Sequence, residues 1–133
     1  MTHPARPAVI DRWHHLIETN DLDALDVLVA DDAVFLSPAV FTPQEGKAKT
    51  VAYLRAALTV FGGDTGFHYV GEWYGPNSAV LEFVADLDDV HVNGVDLIEW
   101  DDRDRIVGFK VMIRPVKGLQ ALIPRMAAQL EQA

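Results

Sequence analysis

The hydrophobic pattern of this chain changes near residue 67 from mainly helical spacing to an alternation that runs to Arg114. Val9, Ile10, Trp13, Leu16 and Ile17 share one helical face, which predicts a first helix ending near Thr19. Asn20, with Asp23 three residues on, reads as the cap of a short second helix buried through Leu22, Leu25, Leu28 and Val29. AVFLSP at 33–38 predicts a short strand closed by Pro38. Thr42-Pro43-Gln44-Glu45 has the form of a helix start: a capping hydroxyl, proline in the first turn and an acid three after the cap. Val51, Leu54, Leu58 and Phe61 carry that helix to Gly62-Gly63.

From Phe67 to Arg114 the alternation predicts four antiparallel strands, at 67–74, 78–87, about 90–100 and 106–114. Gly75-Pro76-Asn77, Asp88-Asp89 and Asp101–Arg105 are the turns. Asn93-Gly94 is a good hairpin dipeptide, but a turn there overextends the second strand, so Gly94 is read as a bulge inside the third. Val116, Leu119, Leu122, Ile123 and Met126 give a closing helix that Pro124 should kink or interrupt. The sum is one α+β domain spanning 1–133, a curved antiparallel sheet with helices on its concave face and a pocket between the layers.

Within the third strand one acid breaks the pattern. Asp96 falls on the same face as Ile98 and Trp100, and a carboxylate among apolar residues is costly to bury. Its functional reading is an acid whose pKa burial raises, able to give a hydrogen bond or a proton to a ligand carbonyl. Its structural reading is an acid tied to the Trp13 indole, to His14 or to backbone. Trp13, His14, Phe35, Ser37, Ile98, Trp100, Phe109, Val111 and Ile113 are the expected pocket lining around it. Trp13 reads as wall rather than donor, since aromatics at helical spacing usually pack. His14 and His15 point about 100° apart and do not share a ligand. His68 and Glu72, by simple alternation, lie on one face with Val70 and Tyr74, either as an acid–base pair or as outer-face charges. His91, near a turn, reads as exposed.

The totals narrow the function classes. With a formal net charge of −9 and no basic stripe, the chain is a poor partner for nucleic acid or anionic lipid. There are no cysteines, so disulfide and thiolate chemistry are excluded. The five histidines are scattered, neither serine (Ser37, Ser78) sits in a nucleophile elbow, and no phosphate-cradling glycine loop occurs. No metal and no cofactor are expected. The N-terminal residues MTHPARPAVIDRWHH contain no long apolar run, and the expectation is a cytoplasmic protein.

Three segments carry a resemblance. Asp21-Leu22-Asp23 leading into ADDAVFLSP, GKAKTVAYL at 46–54, and GVDLIEWDDRDRI at 94–106 with Arg114-Pro115 resemble the nuclear transport factor 2-like (cystatin-like) superfamily, and within it the SnoaL-like group. The resemblance spans nearly the whole chain and implies the cone fold, which hosts isomerases, cyclases, hydrolases, dehydratases and binding modules. Set against ketosteroid isomerases in that superfamily, the catalytic tyrosine falls at Trp13, the general-base aspartate at Ser37 and the acidic oxyanion donor at Asp96. A serine hydroxyl without an activator is no base at neutral pH, so isomerisation by that route is not expected. The Arg-x-Asp of limonene epoxide hydrolase has no counterpart in AVLEFVADL.

The resemblance therefore implies a SnoaL-like protein binding a small hydrophobic molecule. The alternatives are a cyclase, isomerase or dehydratase using Asp96 as acid, and a dimeric interaction module with a vestigial pocket. Glu99, Lys110 and Arg114 alternate away from Asp96, together with Val95, Leu97 and Met112. This leaves a second, largely apolar sheet face, through which a homodimer is expected.

Overall fold

The computed structural model describes residues 5–131. Helix α1 (Ala8–Thr19) is followed by a 3₁₀ turn (Leu22–Ala24) and a one-turn helix α2 (Leu25–Leu28). Strands β1 (Val29–Leu36) and β2 (Gln44–Glu45) precede α3 (Lys47–Phe61). The meander β3 (His68–Tyr74), β4 (Ser78–Leu87), β5 (Val90–Trp100) and β6 (Ile106–Arg114) leads into α4 (Val116–Glu131). One six-stranded sheet has the order β2-β1-β6-β5-β4-β3. Only β1 and β6 run parallel.

Alternation sets which side chains meet the helices. Ala79, Leu81, Phe83, Ala85 and Leu87 of β4 face inward, opposite inward residues of β5 and β6. They pack with Val9, Ile10, Trp13 and Leu16 from α1 at one end, and with Val60, Phe61 and Leu122 from α3 and α4 at the other. The outer face keeps Val70, Trp73 and Met112 more than half exposed.

Several expectations from the sequence need correction. Asn20 does not cap the second helix; it ends α1 in the left-handed conformation at φ 54°. The helix predicted to start at Thr42 begins at Lys47 instead. Gln44 and Glu45 pair with Phe35 and Val34, and Gly46, at φ +98°, turns the chain from strand into helix. The cap motif lost because a non-local ladder took its backbone groups. Gly94 is not a bulge. It pairs in register with Phe83 and Ile113. A Cβ there would lie 2.4 Å from Phe83 Cζ, so the missing side chain makes room for that ring. Pro124 does not interrupt α4. The carbonyl it leaves without a donor belongs to Gln120, which is exposed and open to water. Val116 and Ile123, expected on the buried stripe of α4, are exposed.

A bulge does occur, in β3. Tyr69 pairs with Phe83 and Gly71 with Glu82, so Val70 is the extra residue. The phase of alternation shifts there. Tyr69, Glu72 and Tyr74 all face inward, opposite Phe83, Leu81 and Ala79, while His68 faces out. His68 and Glu72 therefore do not share a face, contrary to simple alternation.

Candidate functional site

Asp96 is 6% exposed and paired across β5–β6 with Val111. The Tyr69 hydroxyl donates to its Oδ2 at 2.6 Å, and the Trp13 indole Nε1–H donates to the Tyr69 oxygen at 2.9 Å. An indole nitrogen can only donate, so the direction of this chain is fixed: α1 to β3 to β5. The Asp96 contact foreseen with Trp13 thus runs through Tyr69. His14 does not bond Asp96. Its ring stands edge-on to Tyr69 at 5.3 Å, and its Nε2 lies 2.7 Å from Glu72 Oε2. That nitrogen makes no well-directed hydrogen bond. Tyr74 donates to the other Glu72 oxygen at 2.6 Å, and Arg6 reaches it at 3.8 Å.

Burial and hydrogen bonding act on Asp96 in opposite directions. Removal from water disfavours the carboxylate, the Tyr69 hydroxyl favours it, and burial wins: the pKa rises from 3.8 to about 7. Tyr69 is pushed well above its usual 10, first by its own burial and then by the adjacent carboxylate. Tyr69 therefore stays a neutral phenol, while Asp96 can exchange its proton near neutrality.

The pair borders a cavity of about 680 Å³ between α1, the end of α3 and the inner sheet face. Trp13, Phe67, Phe83 and Phe109 give it aromatic walls, and Glu18, Asn20, Thr59 and the glycines at 62, 63 and 66 lie toward its rim. Asp96 Oδ1 has no protein donor among the described residues, and the carboxyl lines this space. A second, apolar cavity of about 160 Å³ lies under α4. Ala57, Phe61 and Val111 border both.

The residues expected around one pocket are divided between these spaces. Trp13, Asp96, Phe109 and Val111 line the larger, and Phe35, Ser37, Val111 and Ile113 the smaller. Ile98 and Trp100 are core residues that line neither, and His14 sits behind Tyr69. The Ser37 hydroxyl accepts from the Ala39 and Val40 amides at 3.1 and 3.3 Å, a turn that ends β1. Straight alternation through β3 does not predict the inward Tyr69 beside Glu72. Its signal was Gly71, a glycine inside a strand.

A curved, open sheet clasped by helices on one face, with an acid in the cavity between them, defines a cystatin-like, nuclear transport factor 2-like protein. The chain belongs to the SnoaL-like domain family, whose model matches residues 10–109. A steroid delta-isomerase from Pseudomonas aeruginosa is similar in structure, with a TM-score of 0.89 and 38% identity over 98% of this chain and 97% of that one. An uncharacterised bacterial protein with a cystatin-like fold from Silicibacter pomeroyi follows at 0.82 and 27%, over 92% and 84%. An NTF2-like protein of unknown function from Mesorhizobium loti reaches 0.71 at 20%, over 85% and 98%. No curated protein matches the chain. Among the described residues, no helix is long and apolar enough to cross a membrane.

Proposed function

We propose that the larger cavity binds a small, mainly apolar molecule carrying one carbonyl or hydroxyl oxygen, and that protonated Asp96 donates the hydrogen bond that holds it. One observation carries this reading. A buried carboxyl, tied by one oxygen to Tyr69 and without a protein donor on the other among the described residues, lines an aromatic-walled cavity of about 680 Å³. Cavities of that size and composition suit small ligands. The test is calorimetric titration of 2-acetylnaphthalene from pH 5.5 to 8.5. Affinity should fall above about pH 7, as Asp96 loses its proton. In Asp96→Asn the pH dependence should vanish. Binding of equal strength across that range in the unaltered protein would sink the assignment of Asp96.

The 38% identity to a steroid delta-isomerase favours an extension to catalysis. A neutral acid against a carbonyl oxygen stabilises negative charge developing there, which assists enolisation, cyclisation or dehydration. Asp96 is the acid in this scheme. The Ser37 hydroxyl, committed to two amides and without an activating partner, is not the base. Turnover of an enolisable ketone that survives Asp96→Asn would refute this extension.

Two further readings complete the proposal. The outer sheet face forms a homodimer interface, supported by the exposed Trp73, Val70 and Met112, with Glu99, Lys110 and Arg114 at or near it. The protein acts in the cytoplasm.

A further inference from the structure

We infer that the larger cavity is selective for charge: it admits neutral molecules and primary ammonium ions, and it rejects carboxylates. The inference rests on the reading of this cavity as a ligand site and goes on to name the class of ligand. Among the described residues that line it, the acids are Asp96 and Glu18, and there is no lysine, arginine or histidine. Asp96 is buried and lines the cavity; Glu18 is exposed at its rim, near the end of α1.

Four basic side chains near the cavity are engaged elsewhere. His14 and Arg6 lie against Glu72. Arg12 donates to the Asp104 carbonyl at 3.1 Å, and Arg55 pairs with Asp23. None of the four lines the cavity.

Charge bookkeeping then separates three ligand types. A ketone or alcohol meets protonated Asp96 and leaves the cavity neutral. An ammonium ion meets ionised Asp96 and also leaves it neutral. A carboxylate leaves one net negative charge whichever partner holds the proton, and no lining cation offsets it. An uncompensated buried charge is strongly disfavoured. The formal net charge of −9 adds a field that slows the approach of anions and speeds that of cations.

Three probes on one scaffold test this: 2-acetylnaphthalene, 2-naphthylmethylamine and 2-naphthoate, titrated calorimetrically into the full chain at pH 7.5 and low salt. The ketone and the amine should bind, and the naphthoate at least about tenfold more weakly than the ketone, like charge being costly at a dry interface. Glu18→Lys, a change at an exposed position, should strengthen naphthoate severalfold and weaken the amine. Asp96→Asn should remove any advantage of the amine over the ketone. Circular dichroism of each variant separates loss of fold from loss of selectivity. Naphthoate binding within threefold of the ketone, or a Glu18→Lys variant with unchanged ranking, overturns the charge selectivity while leaving the cavity a ligand site. Absence of binding by all three probes overturns the ligand-site reading and this inference together.

Discussion

Replacing Asp96 with asparagine should make the protein more stable in alkaline solution, and the gain should disappear in acid. The carboxyl is raised from 3.8 to about 7 on folding, so the folded state holds a proton that the unfolded chain releases. Stability from this group is complete below pH 3.8, declines as pH rises, and is lost above about 7, where both states are ionised and the folded one bears the full cost of a buried charge. At about 1.36 kcal/mol for each tenfold change in proton affinity, the interval from 3.8 to about 7 amounts to about 4 kcal/mol. At pH 5 the same linkage leaves about 2 kcal/mol, and at pH 3.5 almost none. Asparagine has nearly the same shape, and its side-chain carbonyl can still accept from Tyr69. The cost of the charge is therefore removed with little else. Urea unfolding of both proteins at pH 3.5, 5 and 8.5 measures the difference, and other titrating groups cancel in the comparison. A variant that is less stable than the parent at pH 8.5, or a difference that does not change with pH, would refute the account of Asp96. An acid that weakens the fold at neutral pH is also what a site residue is expected to be.

The remaining predictions concern the surroundings of that acid. Tyr69→Phe removes a donor to Asp96 and leaves the Trp13 indole N–H without a partner; it should cost about 1–3 kcal/mol in urea unfolding and move the Asp96 carboxyl resonance to a higher titration midpoint, since the Tyr69 bond lowers that pKa. An unchanged midpoint would show that the hydroxyl does not hold the carboxylate. Gly94→Ala places a Cβ 2.4 Å from Phe83 and 2.7 Å from the Met112 carbonyl. Overpacking of this kind should cost about 1–3 kcal/mol, and a neutral result would mean that the strands separate easily at this point. On the outer face, Trp73→Glu should convert a species of twice the chain mass to one chain in sedimentation at micromolar concentration; a parent protein that already sediments as one chain would refute the dimer.

Much of the architecture is legible because it follows local pattern. The alternation of SAVLEFVADL and GVDLIEW fixes which residues of β4 and β5 face the helices, and Asp96 stands out for the same reason. What local pattern does not show depends on pairing between distant segments. Gln44 and Glu45 look like a helix start until β1 offers them a ladder. Gly71 and Gly94 both sit inside strands, yet one accompanies a bulge and the other makes room for Phe83, a difference set by the neighbouring strand. The site is half legible for this reason: the acid can be read from its own strand, and the phenol beside it only after the bulge is known. The two cavities share Ala57, Phe61 and Val111 from α3 and β6, a grouping that no single segment encodes.

The bulge at Val70 also bears on how this chain should be aligned with its relatives. Tyr69 and Glu72 are three residues apart, yet they face the same way because one residue between them is out of phase. A strand that lacked Val70 would bring the same hydroxyl and the same carboxylate to the same face at a spacing of two, with every other side chain in β3 unmoved. A gain or loss of one residue here is therefore silent in orientation, although it shifts the numbering of everything that follows. An alignment that put the gap before Tyr69 would match it with a residue that points out of the sheet and score the phenol as absent where it is present.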